Sequence, residues 1–326
     1  MKKTFIQYGS LLAFCVAAIV LYTSCEKEID INIDAPKNAL VVEGHIENGL
    51  PPYVLLTKNS AFFGNIDIND IASYFVSGAK ITVTTDNDSV QLQEYSSAFL
   101  ELLPDSVVLA LADQFGLDIQ SVDDFPPIII YTVPFDETDF VGVIGKSYDL
   151  RIEIDDKIIT STTTLPEPVF FDSLWIKPPA NPALADSFFQ FRGQLKDPIA
   201  PGNYYRYFTQ ADGGPWLLSG QTVFDDGFFN GKDFQIFIPK GRPIGSFGGD
   251  IDFETDGLWT TQDTVCTVKL SMIDKAHYEF WRTLEANRSS QGNPFGSVVY
   301  VKSNVKGALG IWGGYSSITG SYNRFP

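Results

Sequence analysis

Apolar and polar residues alternate with a period of two along most of the chain. Tyr148-Asp149-Leu150-Arg151-Ile152-Glu153-Ile154 sets apolar side chains on one face and charged ones on the other, the pattern of a half-buried strand. Asp155-Asp156 then turns the chain, and Lys157 to Thr163 returns as a Thr-rich strand, so 148–163 reads as a β-hairpin. The same reasoning predicts strands at 39–46, 53–58, 79–85, 128–133, 187–195, 203–210, 234–238, 265–272 and 298–302. Short strands separated by Gly, Pro, Asn and Asp turns are the signature of β-sandwiches. Nothing alternates strand with long helix, which argues against a doubly wound or barrel α/β enzyme.

Two stretches break the alternation. Residues 97–115 carry Leu100, Leu103, Val107, Val108, Leu111 and Phe115 at helical spacing, with Asp105 as an N-cap after Pro104. A second helix is predicted from about Asp274, its cap, to Asn287, with Tyr278, Trp281 and Leu284 on one stripe. Leu165-Pro166-Glu167-Pro168 marks a boundary, because two prolines break a ladder and stiffen a linker. The expected organisation is mainly β, with two tandem β-sandwich-like domains. A leader would cover 1–24 and a tether 25–35. An N-terminal sandwich of 36–165 carries a helical insertion near 96–127, and a C-terminal β domain spans 168–326.

Composition narrows the function. The chain has 326 residues, 44% of them hydrophobic, with 23 Lys+Arg against 40 Asp+Glu and a formal charge of −17. It can bury cores, so disorder is excluded as the main state. No basic stripe exists to neutralise phosphates, which argues against nucleic acid and against charge-driven docking on anionic lipid.

The start of the chain reads as export machinery. Lys2 and Lys3 precede an apolar run from Leu11 to Tyr22. As a helix this run rises about 18 Å, too short for a bilayer core of about 30 Å, so it reads as a secretory signal. It ends in Leu21-Tyr22-Thr23-Ser24-Cys25, which resembles a bacterial lipobox whose cysteine is acylated. The usual pattern has Leu one place nearer the cysteine, and ordinary signal cleavage is the alternative. Acyl chains on Cys25 would hold the protein on a membrane. Cys15 leaves with the leader, so Cys266 stands alone and no intramolecular disulfide is expected. Alternation places Cys266 with Val268, Leu270 and Met272, as a buried structural thiol.

Several phrases together carry a resemblance. They are Ala39-Leu40-Val41-Val42-Glu43-Gly44-His45-Ile46, Pro51-Pro52-Tyr53-Val54-Leu55-Leu56-Thr57 and Val76-Ser77-Gly78-Ala79-Lys80-Ile81-Thr82-Val83. Later come Tyr278-Glu279-Phe280-Trp281, Asn293-Pro294-Phe295 and Ser303-Asn304-Val305-Lys306-Gly307-Ala308-Leu309-Gly310-Ile311-Trp312. With the leader, these resemble a family of Bacteroidota outer-membrane lipoproteins, the domain of unknown function 4249. The tail phrase is the most specific. Residues 96–127 look like an insertion relative to that family. The resemblance implies an immunoglobulin- or transthyretin-like first domain, no transferable catalytic residues, and a place beside TonB-dependent outer-membrane receptors. It also gives Glu26-Lys27-Glu28-Ile29-Asp30 a meaning. Glu26, Lys27, Glu28 and Asp30 resemble a surface-export signal of such lipoproteins, against a bland reading as a solvated tether facing the periplasm. Asp-(Ser/Thr)-aliphatic patterns used there for O-glycosylation occur at Ser89, Ser106, Ser173 and Thr264.

Chemistry is sparse. The two histidines are His45 and His277, and neither accompanies a Gly-x-Ser-x-Gly elbow; Gly245-Ser246-Phe247-Gly248-Gly249 reads as a flexible loop. A glycosidase needs two carboxylates flanking a cleft, whereas Asp86 and Asp88, Asp155 and Asp156, and Asp225 and Asp226 sit where solvated turn formers belong. Weak calcium candidates are Asp67 and Asn69, whose loop lacks the Gly and Glu that an EF-hand requires, and Asp250 and Asp252, in an alternating acidic run. Solvated loops are the simpler account of both. Aromatics crowd the C-terminal half, at Tyr204-Tyr205-Arg206-Tyr207-Phe208, Trp216, Phe224, Phe228-Phe229 and Trp259. Consecutive aromatics on a strand face both ways. They form either an exposed interface or sugar platform, or a strand buried on both sides.

The expectation is a lipid-anchored, non-enzymatic outer-membrane protein without cofactor, at the cell surface. It would capture a small-molecule or glycan ligand, or act as an accessory, beside a TonB-dependent receptor. A carbohydrate-binding or adhesion module and a glycosidase are the rivals.

Overall fold

The computed structural model describes residues 39–58, 71–86, 88–97, 121, 128–137, 139–243, 252, 254–290 and 299–325. The segments expected to be leader and tether, the predicted helix at 97–115 apart from Ser97, and nearly all of the insertion near 96–127 lie outside them.

Fifteen strands are described. In the N-terminal half they are β1 (Leu40–Glu47), β2 (Tyr53–Lys58), β3 (Lys80–Thr85), β4 (Asp88–Ser96), β5 (Ile129–Thr132), β6 (Ser147–Ile154) and β7 (Lys157–Thr164). Then follow β8 (Phe171–Lys177), β9 (Phe188–Lys196), β10 (Tyr204–Ala211), β11 (Val223–Asp225) and β12 (Asp233–Phe237). The last are β13 (Trp259–Thr260), β14 (Val265–Ile273) and β15 (Leu309–Asn323). Among the described residues a single long helix, α1 (Lys275–Ser290), leads from β14 towards β15. The predicted hairpin is present, with Ile154 opposite Lys157 and a two-residue turn whose Asp155 sits at φ 49°. The strand expected at 298–302 is absent from its described part, which runs irregularly into β15.

Eleven strands form one sheet in the order β11-β10-β14-β15-β1-β2-β5-β4-β3-β6-β7, and β12, β9, β13 and β8 form a smaller one. The fold is mainly β and sandwich-like. The large sheet turns back on itself, so that Val42, Ile46, Val54 and Leu56 of β1 and β2 share a core with Ile81, Leu150 and Ile159. A second core lies between β10 and β14 and the small sheet, holding Tyr205, Val268, Leu270, Phe191 and Trp259.

Leu165 belongs to the first core and Val169 to the second. The two cores share the large sheet, and the strand that serves both is β15. Residues Leu309 to Tyr315 pair in parallel with β1, and Ser316 to Asn323 pair antiparallel with β14. One strand thus carries Trp312 into the first core and Ile318 and Tyr322 to the second.

Two phrases far apart in sequence meet here. Gly44 stands opposite Trp312, and a Cβ at Gly44 would lie 2.5 Å from the indole. Trp312 Nε1 donates to Tyr148 O at 2.9 Å, tying β15 to β6 across the core. Gly310 takes φ 109°, with Val42 O only 1.9 Å from where a Cβ would be, a conformation and approach open only to glycine. Asn304 brackets the same strand, receiving from Trp312 N and donating to Trp312 O. Trp312→Ala is therefore expected to cost about 3–5 kcal/mol, read as a lower urea midpoint at unchanged slope. A loss below about 1 kcal/mol would remove Trp312 as the keystone of the first core.

Candidate functional site

A cavity of about 410 Å³ opens between the edge of the large sheet and the edge of the small one. Its apolar wall is Tyr207 of β10, Phe224 of β11 and Phe237 of β12, with Pro239 beyond. Strand alternation puts Tyr205 and Tyr207 on this side and Tyr204, Arg206 and Phe208 on the other. Phe224 is fixed by stacking on Tyr205, at 4.8 Å between centroids and 6° between planes. The Tyr207 hydroxyl is held by Ser219 Oγ at 2.6 Å and donates to Gln221 O at 2.8 Å.

The polar wall is Lys240, Arg242 and Asp256. Segment 239–242 is clamped on both sides, by Arg242 N donating to Leu218 O and Lys240 N donating to Gly257 O, each at 2.9 Å. Gly241 lets it pass: a Cβ there would meet the Leu217 carbonyl at 2.5 Å. Both cations are compensated. Lys240 Nζ reaches the two oxygens of buried Asp263 at 2.7 and 2.8 Å, and Arg242 pairs with Asp256 at 3.2 Å. Among the described lining residues Asp256 is the one carboxylate, where a glycosidase requires a pair. A second hollow, of about 640 Å³, lies over β4 against Ser89, Gln91, Gln93 and Glu137; no aromatic lines it among the described residues.

On the opposite face of β10 the structure unites groups that the sequence leaves far apart. His45 and His277 both pack on Tyr315, at 4.3 and 4.5 Å between ring centroids. His45 Nε2 meets Glu47 at 3.2 Å, and Lys269 reaches the same carboxylate at 3.5 Å. Burial opposes ionisation of Glu47, yet the His45 hydrogen bond and the Lys269 charge hold it at about 2. Arg206, 3% exposed, donates to Tyr315 Oη at 2.6 Å and lies 3.5 Å over the Trp281 ring. No described carboxylate stands within ion-pair distance of it. Glu285 receives the Thr222 hydroxyl and amide, and burial raises its carboxyl. Glu43 is also raised by desolvation, although Arg206 and Arg288 pull it down.

Helix α1 covers this face. Asp274 caps it, accepting from His277 N at 2.9 Å, and also accepts from Thr163 Oγ1 at 2.7 Å, which ties the helix to β7. The most buried positions are His277, Phe280 and Thr283, one residue N-terminal of the expected stripe. Gly313 explains the offset, because His277 lies flat against it, 2.5 Å from a would-be Cβ. Tyr278 and Trp281 flank a third, smaller cluster with Tyr315. Both histidines are thus consumed in packing: burial lowers the His277 ring well below its ordinary value, and His45 too despite Glu47.

The remaining sequence candidates divide as follows. Cys25, Glu26, Lys27, Glu28, Asp30, Asp67, Asn69, Ser106 and Asp250 lie outside the described residues. Asp252 organises its own turn, accepting from Glu254 N at 3.1 Å and Thr255 Oγ1 at 3.0 Å. No group of three or more metal-ligating side chains occurs among the described residues. Ser89, Ser173 and Thr264 are exposed, but the acid preceding Thr264 is Asp263, already bound to Lys240 and Thr260. Asp226 is not the solvated turn former expected: it is 6% exposed and accepts from Gly202 N and Asn203 N. Cys266 is buried, with its thiol pushed up to about 12 by burial and then by Asp263. Of the aromatics, Trp259 is fully buried and Phe228 is 98% exposed; the run 204–208 is covered on both faces by the second core and α1. The cavity itself left no motif. Only the aromatic crowding hinted at it.

The family described as Domain of unknown function (DUF4249) matches the chain over residues 26–321. No curated protein matches it at a significant level.

Acid should act on the polar face. A histidine whose folded pKa is depressed contributes stability that is complete above its unfolded value of about 6.5 and is lost as pH falls below it. Glu47 adds to that loss only below its ordinary value of 4.5, on the way to about 2. Glu43 and Glu285, both raised, act in the opposite sense above their ordinary value of 4.5, and so offset part of the histidine loss. Melting temperature is expected to fall between pH 7 and 5.5, with each histidine steepening the slope by up to about 1.4 kcal/mol per pH unit. His277→Gln should flatten that slope; an unchanged slope would show that His277 is not the group being protonated.

Proposed function

The chain belongs to the DUF4249 family, and on that premise we propose that it is a lipid-anchored, non-enzymatic ligand-capture protein of the outer membrane. It works at the cell surface as the partner of a TonB-dependent transporter. The observation that carries the capture half is the cavity between the sheet edges, with rigid aromatics on one wall and internally neutralised charges on the other. Its volume falls in the range of small-molecule sites, about 300–1,000 Å³. Supporting a non-catalytic reading, both histidines are locked in packing, and the cavity carries one carboxylate that Arg242 already engages.

The anchored half is supported by the leader, by Cys25 at its end and by the acidic residues behind it. The family match opens at residue 26, directly after that cysteine. Two or more acyl chains suffice for stable attachment, so neither a spanning helix nor a basic patch is needed. Among the described residues no helix is long and apolar enough to cross a membrane.

Tagged full-length protein purified from native membranes is expected to carry a fatty-acid label and to bring a β-barrel receptor with it. Cys25→Ala should lose the label and shift the protein to the soluble fraction. A Cys25→Ala protein that is still labelled and retained removes the anchor, and recovery without any receptor removes the partner. Protease treatment of intact cells should cleave the protein; full protection would place it on the periplasmic face.

A further inference from the structure

We propose that the cavity takes a neutral, hydroxyl-rich ring, the unit of an uncharged oligosaccharide, and not an anion or a plain hydrocarbon. The inference rests on the capture reading and names the ligand class for that site.

The two walls make opposite demands. Tyr207, Phe224 and Phe237 line the apolar side, and the first two are set in place before any ligand arrives. Tyr207 is pinned through its hydroxyl to Ser219 and Gln221, and Phe224 is stacked on Tyr205. A ligand must therefore present a flat apolar face. The facing wall holds planar polar groups, Gln221, Arg242 and Asp256, with Lys240 beside them. Covering these with hydrocarbon would strip their water without replacement and leave polar groups unsatisfied. A ligand must also carry donors and acceptors along its edge.

Charge then separates the polar candidates. Lys240 is bound by both oxygens of Asp263, and Arg242 is paired with Asp256. An anion would have to draw these cations away from carboxylates that sit 2.7–3.2 Å from them. A cation would face Lys240 and Arg242 across one engaged acid. A neutral ring breaks neither pair: its C–H faces lie on the aromatic wall, and its hydroxyls take the donor and acceptor sites of Gln221, Arg242 and Asp256. The pairs hold those side chains in place, which lowers the entropy lost on binding.

A free oligosaccharide and a ring within a polymer present the same chemistry, and two probes distinguish them. Saturation-transfer NMR on the full-length protein in detergent would use a pool of neutral gluco- and galacto-oligosaccharides, with a soluble neutral polysaccharide as the second arm. An oligogalacturonate pool would serve as the anionic comparison. Transfer to ring C–H protons of a neutral saccharide is expected, with the anionic pool silent. Transfer from the short pool alone assigns a free saccharide, and from both a ring of a polymer. Phe237→Ala and Arg242→Gln should each weaken binding by about tenfold. Arg242→Gln stays in a partly exposed position and serves as the folded control, verified by an unchanged melting temperature. Absence of transfer from every neutral saccharide would overturn the proposal, as would affinity unchanged in both variants. Preferential binding of the anionic pool overturns the ligand class and leaves capture standing. Failure of the capture reading is read separately, from the receptor co-purification.

Discussion

The pairing of β1 with β15 is the constraint on which the rest of this molecule depends. A parallel pair between the first and last strands cannot be made by a hairpin; it requires a connection, here nearly the whole described chain. The seam is held sterically as well as by hydrogen bonds. Trp312 lies on Gly44, and Gly310 approaches Val42 so closely that no side chain fits. With that strand in place, its far half can serve β14 and the second core, and its outer face can present Tyr315 to His277 and the helix above.

What could be read from sequence follows the physics of each element. Strands with one face in a core and one in water, such as β6, show clean alternation and are legible. Helix α1 is legible from its cap and spacing, but its buried stripe is displaced by one residue because Gly313 leaves a socket only for His277. By contrast β15 is nearly invisible to pattern reasoning: Gly310, Gly313 and Gly314 stand where apolar side chains would have marked a face, and the residues that fill those gaps come from other elements. The phrases at both ends of the chain supported a resemblance without revealing that they touch. A boundary at 165–168 is what two prolines suggest, but proline pairs say nothing about a strand that returns from the far end to serve both cores.

The functional region was less legible for a different reason. A cavity is a property of where edges stop, and β11 and β12 are short strands from different sheets. Tyr207, Phe224 and Phe237 share no spacing rule. The polar face behind them is likewise assembled from β1, β10, β14, β15 and α1, so its histidines looked unrelated. Acidity also took on a second meaning. The excess of carboxylates reads as solvation, yet Asp197, Asp226 and Asp263 are buried and bind backbone amides, hydroxyls or Lys240. Asp197 accepts from Tyr205 and from Gly231, and so links the strand that floors the cavity to the loop beyond it.

The partner exchange within β15, from β1 to β14 after Tyr315, also governs when the fold can close. Until that strand emerges, β1 has an open edge and the first core lacks its largest indole. High sequence separation makes this closure late and slow, and an unpaired edge invites pairing with other chains. A chain interrupted before β15 is made therefore exposes the β1 edge and an unfilled first core, and it locks only when both ends of the described fold are present together.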